Sequence, residues 1–253
     1  MSEKAGTKPK IAVTEPCSYD FEYSARALPP YLHAVEDAGG DPVVIQLSHT
    51  PEEVARLITG CAAVILTGSR ADVDPAKFDA KPHMKNAPPD APRETVDELL
   101  LQDAFNLRKP LLAICYGLQS LNVWRSGTLL QHIESRVNHT PGPGFTHPVT
   151  IEADSLLAHS INLSGRNTMP VNSSHHQSAD LAGDGLRVVA RSTDDGIIEA
   201  LEGTSPEQYL VAVQWHPEKD YKTDQHSRRL FLTLVDQARK WLRQHPAAAY
   251  SHD

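Results

Sequence analysis

Apolar and polar positions along the first half of the chain alternate in blocks. Short β-branched runs read as strands at "KIAVTE" (10–15), "PVVIQL" (42–47) and "AAVILTG" (62–68). Between them, helical spacing of apolar residues predicts helices over "ARALPPYLHAVEDAGG" (25–40) and "PEEVARLITG" (51–60). Gly39 and Gly40 mark a helix C-terminus, and Pro51 followed by two glutamates marks a helix N-terminus. This is the rhythm of βαβ units, and strands apolar on both faces belong to a covered parallel sheet.

Residues 69–93, rich in Pro, Asp and Lys, interrupt the rhythm with a long loop. Loops of that length in a compact domain are usually functional or mobile. A helix at "ETVDELLLQDAFNLR" (94–108) follows, then the apolar strand "PLLAIC" (110–115) and a helix from about Leu118. Later strands, "HPVTIE" (147–152), "LRVVARS" (186–192), "GIIEALE" (196–202) and "YLVAVQW" (209–215), are spaced like an antiparallel or mixed sheet. The last helix (224–244) puts Leu230, Phe231, Leu234, Val235, Ala238, Trp241 and Leu242 on one face, which predicts packing on the core.

The chain has 253 residues, 40% hydrophobic and 22% charged, enough for one large α/β domain or two small ones. The expected division is a leader over 1–9, one domain over 10–243 and a tail over 244–253, with "TPGPG" (140–144) a low-complexity turn inside the domain. A net charge of -8 without a Lys/Arg block excludes a nucleic-acid footprint. The apolar runs are too short to span a bilayer, and the N-terminus lacks the apolar segment of a secretory signal. Cys17, Cys61 and Cys115 are odd in number and contain no C-x-x-C pair, which fits a reducing, cytoplasmic setting. A small-molecule partner is expected; a homodimer is compatible with the sequence.

Four stretches bear candidate chemistry. In "AICYG", Ala113 to Gly117, small residues flank one thiol between a strand and a helix, the shape of a nucleophile elbow with Cys115 in place of Ser. A helix starting just beyond would favour the thiolate. Alternatively, Cys115 is simply a small buried hydrophobe at a strand end. In "VQWHPEKD", a buried strand runs into His216, with Glu218 two residues on across a rigid Pro217. A base and its orienting carboxylate would thus arrive together, although a polar loop has the same composition. In "LTGSRADVDP", the turn at Gly68 and Ser69 could present a backbone N–H to an oxyanion alongside that of Tyr116, or be a plain turn. In "VNSSHHQSAD", hydroxyls, two histidines and an amide crowd together. A zinc site would need a further ligand at metal spacing; with no H-E-x-x-H and no His/Cys partner pattern, no metal is expected and substrate contact or a hydrogen-bonded turn is favoured.

Together, "AICYGLQSLNV" and "VQWHPE" resemble the signature pair of the class I glutamine amidotransferase-like family. "ILTGSRADVDP", "VNSSHHQ" and "DDGIIEALE" are similar to its free-standing gamma-glutamyl-gamma-aminobutyrate hydrolase branch. The resemblance runs from about Lys10 to Arg243. It implies an α/β fold, a flavodoxin-like three-layer sandwich with a mostly parallel central sheet and a small antiparallel extension. It also implies cysteine-dependent hydrolysis of a γ-glutamyl amide without a cofactor. Cys115 would be nucleophile, His216 base and acid, and Glu218 its partner. Gly68 or Ser69 with Tyr116 would form the oxyanion hole, and Ser174, His175, His176, Gln177 and Gln119 would meet substrate.

Three departures bear on substrate identity. Tyr116 stands where that branch commonly has Arg, which would alter a contact to the substrate carboxylate and shift substrate preference. Ser126 stands where a Gly-Gly pair is usual, and "RETVDE" at 93–98 exchanges acidic types at Glu94 and Asp97. Two other readings follow from the same fold. One is a glutaminase delivering ammonia to a synthetase partner; "SSHHQ" and the lack of a fused synthetase favour the hydrolase over it. The other is a non-catalytic binding protein, against which the intact Cys115, His216 and Glu218 argue.

Overall fold

A computed structural model describes residues 8–140, 144–163, 165 and 167–246. Most of the expected leader and tail, and the centre of the 140–144 turn, lie outside the described residues. The first five elements follow the predicted order: β1 Lys10–Thr14, α1 Phe21–Asp37, β2 Asp41–Ile45, α2 Pro51–Thr59 and β3 Ala63–Leu66.

Local chemistry sets the ends of these helices. Helix α1 begins four residues before the apolar spacing does, because the Asp20 carboxylate accepts the Tyr23 N–H at 2.9 Å. It runs through Pro29 and Pro30 and ends where Gly39 turns left-handed at φ 83°. Helix α2 opens with a capping box: the Thr50 hydroxyl accepts the Glu53 N–H, and Glu53 accepts the Thr50 N–H.

The long loop after β3 contains one short 3₁₀ turn, Pro75–Phe78, and leads to α3 Ala91–Asn106. Then come β4 Leu111–Ile114 and α4 Tyr116–Trp124. Helix α4 starts at Tyr116, two residues earlier than predicted, so Cys115 is its N-cap. The remaining elements are β5 Leu129–Leu130, β6 Thr146–Ile151, α5 Leu156–Ile161, β7 Thr168–Asn172, β8 Ser178–Ala179, β9 Leu186–Ser192, β10 Ile198–Gly203, β11 Leu210–Val213 and α6 Gln225–Gln244. The sequence reading lacks β5, α5, β7 and β8, whose two to six residues are too short to show a period.

One nine-stranded sheet organises the chain in the order β2-β1-β3-β4-β11-β10-β9-β6-β7. From β2 to β11 every pairing is parallel; from β11 to β7 every pairing is antiparallel. The parallel half has the flavodoxin-like order with β11 in fifth place. Its strands "AVIL", "LLAI" and "LVAV" are buried throughout because helices cover both faces. On one side α1 and α6 pack on Ile11, Val13 and Ile65, with the predicted α6 face from Leu230 to Trp241 buried. On the other, α2, α3 and α4 pack on Ala12, Val64 and Leu111. Among the described residues no helix is long and apolar enough to cross a membrane.

Candidate active site

Strands β3, β4 and β11 are neighbours, and their carboxyl ends open into one crevice, where open α/β sheets bind ligands. Cys115 leaves β4 with its N–H bonded to the Val213 carbonyl at 2.8 Å. Its backbone sits at φ 54°, ψ -108°, strained for any residue with a Cβ. The turn is this sharp because α4 lies almost on β3: a Cβ on Gly117 would stand 2.5 Å from the Leu66 carbonyl oxygen. Gly117 is therefore fixed by contact, as the small-residue pattern predicts.

His216 follows β11 and donates through Nδ1 to Glu218 Oε1 at 2.8 Å, both residues being buried. Its ring packs against the turn after β3, where a Cβ on Gly68 would come within 2.9 Å of His216 Cε1. Asn172 holds the His216 backbone, accepting its N–H at 2.9 Å and donating to its carbonyl at 2.8 Å. Asn172, at the end of β7, is a positioning residue that the sequence reading does not pick out.

Electrostatics couple the thiol to this imidazole. Burial opposes ionisation of Cys115, but the charge of His216 and a hydrogen bond to it prevail and hold the thiol below its ordinary range. Burial likewise opposes protonation of His216, yet Glu218 and Cys115 push it up to about 10. Each group therefore favours the charged form of the other, thiolate beside imidazolium, with the Glu218 carboxylate behind.

The backbone donors are not equivalent. Gly68 N–H is engaged by the Tyr31 hydroxyl at 3.0 Å, while Ser69 N–H has no acceptor among the described residues. Tyr116 N–H is first in α4 and has no acceptor within the helix. Of the predicted donors, Ser69 and Tyr116 are thus the free ones.

The Tyr116 side chain is turned into the wall of the site. It is 1% exposed and packs with Ala71, Val73, Val123 and Leu129, with the Arg93 guanidinium 4.8 Å from its ring centroid. Arg93, itself fully buried, pairs with Asp97 at 2.8 Å and donates to the Pro16 and Thr67 carbonyls. It ties the ends of β1 and β3 together behind the crevice. Packed in this way, the Tyr116 ring helps to shape the wall of the cavity over Cys115. The exchanged acids have separate places: Asp97 neutralises Arg93, and Glu94 accepts the Asp74 N–H at 2.8 Å.

A cavity of about 480 Å³ lies over Cys115 and His216. Gln119, Ser174, His175, His176 and Gln177 all reach its wall, so the structure brings every predicted contact residue to one place. Ser174 alone of these is exposed. Gln119 bridges the Gln177 carbonyl and Gln214 Oε1, each at 3.1 Å, and the Gln177 amide donates to the Gln131 carbonyl at 3.1 Å. His176 pairs with Asp72 at 3.2 Å, and His175 turns away into the antiparallel half of the sheet. Much of the predicted contact loop is therefore held by the protein itself. Arg26, Arg70 and Lys219 stand at the cavity edge, giving it cationic groups that the sequence reading passes over.

The Peptidase C26 family profile matches residues 13–218. A protein of Lactococcus lactis, provisionally assigned as glutamine amidotransferase-like, is 32% identical over 79% of this chain and 84% of its own. Gamma-glutamyl-gamma-aminobutyrate hydrolases of Escherichia coli O157:H7 and K12 are 31% and 30% identical over 79% of this chain and 82% of theirs. A solved structure from Thermoplasma acidophilum, provisionally assigned to a GMP synthase, superposes with a TM-score of 0.66 at 14% identity. It covers 94% of this chain and 98% of that one, and at such identity it speaks for the fold alone.

Proposed function

From its place in the Peptidase C26 family, to which this chain belongs, we propose that the protein hydrolyses γ-glutamyl amides, γ-glutamyl-γ-aminobutyrate or a related γ-glutamyl-amine, with Cys115, His216 and Glu218 as its catalytic groups. The observation that carries the reading is the aligned thiol, imidazole and carboxylate, with His216 Nδ1 fixed to Glu218 at 2.8 Å and its other nitrogen left for Cys115. Cationic groups at the cavity edge, Arg26, Arg70 and Lys219, suit a substrate whose ends are carboxylates.

The Cys115 thiolate attacks the γ-carbonyl carbon, and the carbonyl π electrons move to oxygen. That oxygen lies between the N–H groups of Tyr116 and Ser69, which stabilise the charge as it develops. His216, already protonated, gives its proton to the departing amine nitrogen as the C–N bond breaks, leaving a thioester. Neutral His216 then takes a proton from water, whose oxygen attacks the thioester carbonyl. Glutamate leaves, and the sulfur departs as thiolate beside a re-formed imidazolium. Glu218 keeps the imidazole in one tautomer through both steps.

The test is glutamate release from a panel of γ-glutamyl amides by the wild type and by Cys115→Ala. Loss of release in the variant supports the reading; substantial residual hydrolysis sinks it. The amidotransferase-like assignment of the Lactococcus lactis relative favours one second reading, a glutaminase feeding a synthetase. Strong activation on free glutamine by a protein partner would put that reading first.

A further inference from the structure

Glu199 is a fully buried carboxylate with three imidazoles around it and a hydrogen bond to none of them. Its Oε1 lies 3.5 Å from His139 Nδ1, 3.3 Å from His147 Nε2 and 3.5 Å from His175 Nε2. One ligand atom from each of the four residues falls within 4.8 Å of the others. They come from four places: the segment before β6, β6 itself, the loop after β7, and β10. Glu199 sits where β10 slips register against β9, a bulge of the kind that re-aims a side chain.

The spacing discriminates between two accounts of the cluster. Imidazolium–carboxylate hydrogen bonds would draw the atoms to about 2.7–2.9 Å. Four ligands held about 2.0–2.1 Å from a tetrahedral ion stand about 3.3–3.4 Å apart, and the three distances to Glu199 bracket that edge. The outer contacts agree. His175 Nδ1 faces the Gln177 carbonyl at 2.9 Å, and a carbonyl only accepts, so Nδ1 carries the proton and Nε2 offers its lone pair inward. His139 Nε2 meets Asp195 Oδ2 at 2.9 Å, leaving Nδ1 to face inward, and Ser135 donates to the same Asp195. Such carboxylate and carbonyl partners orient metal-bound histidines.

We propose that His139 Nδ1, His147 Nε2, His175 Nε2 and Glu199 bind one divalent transition-metal ion of the zinc class. Three neutral imidazoles and a carboxylate select Zn²⁺ or its near neighbours over Mg²⁺ or Ca²⁺, which need all-oxygen shells. With four protein ligands and burial on every side the site is closed, so its role is structural. It fastens the 174–177 loop to the antiparallel half of the sheet, alongside the His175 N–H and the Ser173 hydroxyl, both bonded to the His139 carbonyl at 2.9 Å. This departs from the expectation of no metal drawn from "VNSSHHQSAD". That expectation searches for ligands at local spacing, whereas the other three lie 24 to 36 residues from His175 in sequence.

The test is elemental analysis of the untagged full-length chain, expressed with zinc in the medium and dialysed against metal-free buffer. About one equivalent of metal per chain is expected. It should be retained in Cys115→Ala and lost in Glu199→Gln and His147→Asn. Because those two variants could misfold, the wild type is also stripped with a chelator. A fall in Tm that Zn²⁺ reverses, and a tetrahedral visible spectrum after loading with Co²⁺, support the site. Wild-type chain with under about a tenth of an equivalent and no Tm response to Zn²⁺ would overturn it. So would metal retained in folded Glu199→Gln and His147→Asn.

Discussion

The two halves of the sheet each bury imidazole beside carboxylate, and they do it differently. At the end of the parallel half, His216 and Glu218 meet at 2.8 Å, two residues apart in sequence. In the antiparallel half, Glu199 stands 3.3–3.5 Å from three histidines brought from distant segments. The first arrangement is closed by its own hydrogen bond and polarises a thiol. The second leaves its inward nitrogens and both Glu199 oxygens without a hydrogen-bond partner among the described residues, a costly state for buried polar groups unless something sits among them. A close hydrogen bond marks a proton path, and imidazoles gathered around a carboxylate beyond hydrogen-bond distance mark a ligand set.

The largest effect that separates the two is expected from Cys115→Ala. Turnover of γ-glutamyl amides should fall by roughly 10⁴-fold or more, while Tm and metal content stay near wild type. A parallel loss of metal would show that the thiol belongs to the ion's shell, and the two clusters would have to be treated as one.

Next is Glu218→Gln, expected to lower kcat by about 10²–10⁴-fold. Its pH profile carries the sharper information. For the wild type, kcat/KM should rise as Cys115 loses its proton, below the ordinary thiol range, and fall above about 10 as His216 loses its own. Both limbs belong to the coupled pair. Since Glu218 is a main cause of the raised His216 value, removing its charge should bring the alkaline limb to lower pH. An unmoved limb would break the link between carboxylate and imidazole.

Asp195→Asn probes the other half in the same manner. It removes the charge of the partner of His139 Nε2 without touching the four inward ligands. Metal affinity, followed by competition with a chromophoric chelator, should weaken by about 10–100-fold. The alkaline limb of kcat/KM should stay in place, because Asp195 belongs to the antiparallel cluster. A shift in that limb would mean that the halves communicate.

How much is legible in sequence follows the same division. Cys115, with Ala113 and Gly117 beside it, and the His216–Glu218 step are local patterns, set by a strand end and a tight turn. Local patterns survive in one dimension. The sequence reading starts helix α4 two residues late because no side chain announces a helix whose N-cap is the strained Cys115 itself. In the antiparallel half β6, β9 and β10 are legible as strands, while β7 and the site are not. Which of its histidines face one another depends on the order β10-β9-β6-β7 and on the slip at Glu199, neither of which has a periodic signal. That the Tyr116 ring turns back onto Arg93 is likewise invisible in sequence, because Arg93 lies on a different helix.

The smallest effects concern backbone strain, and they compare the elbow with a turn that has no chemistry. Cys115 and Ser126 both hold positive φ, 54° and 67°. A left-handed backbone costs a residue with a Cβ about 1–3 kcal/mol, and glycine removes that cost while losing about 0.4–1 kcal/mol through its freer unfolded chain. At the elbow, Cys115→Gly should therefore be more stable than Cys115→Ala by about 1–2 kcal/mol, both being inactive. At the end of α4, Ser126→Gly should raise stability by about 0.5–1 kcal/mol in urea unfolding with kcat unchanged. Ser126 lies past α4, away from the cavity that Cys115 opens into, so relief there touches no reacting group. If Ser126→Gly instead lowered kcat, strain would have to pass along α4 to its N-terminal Cys115, and the elbow could no longer be treated as a local device.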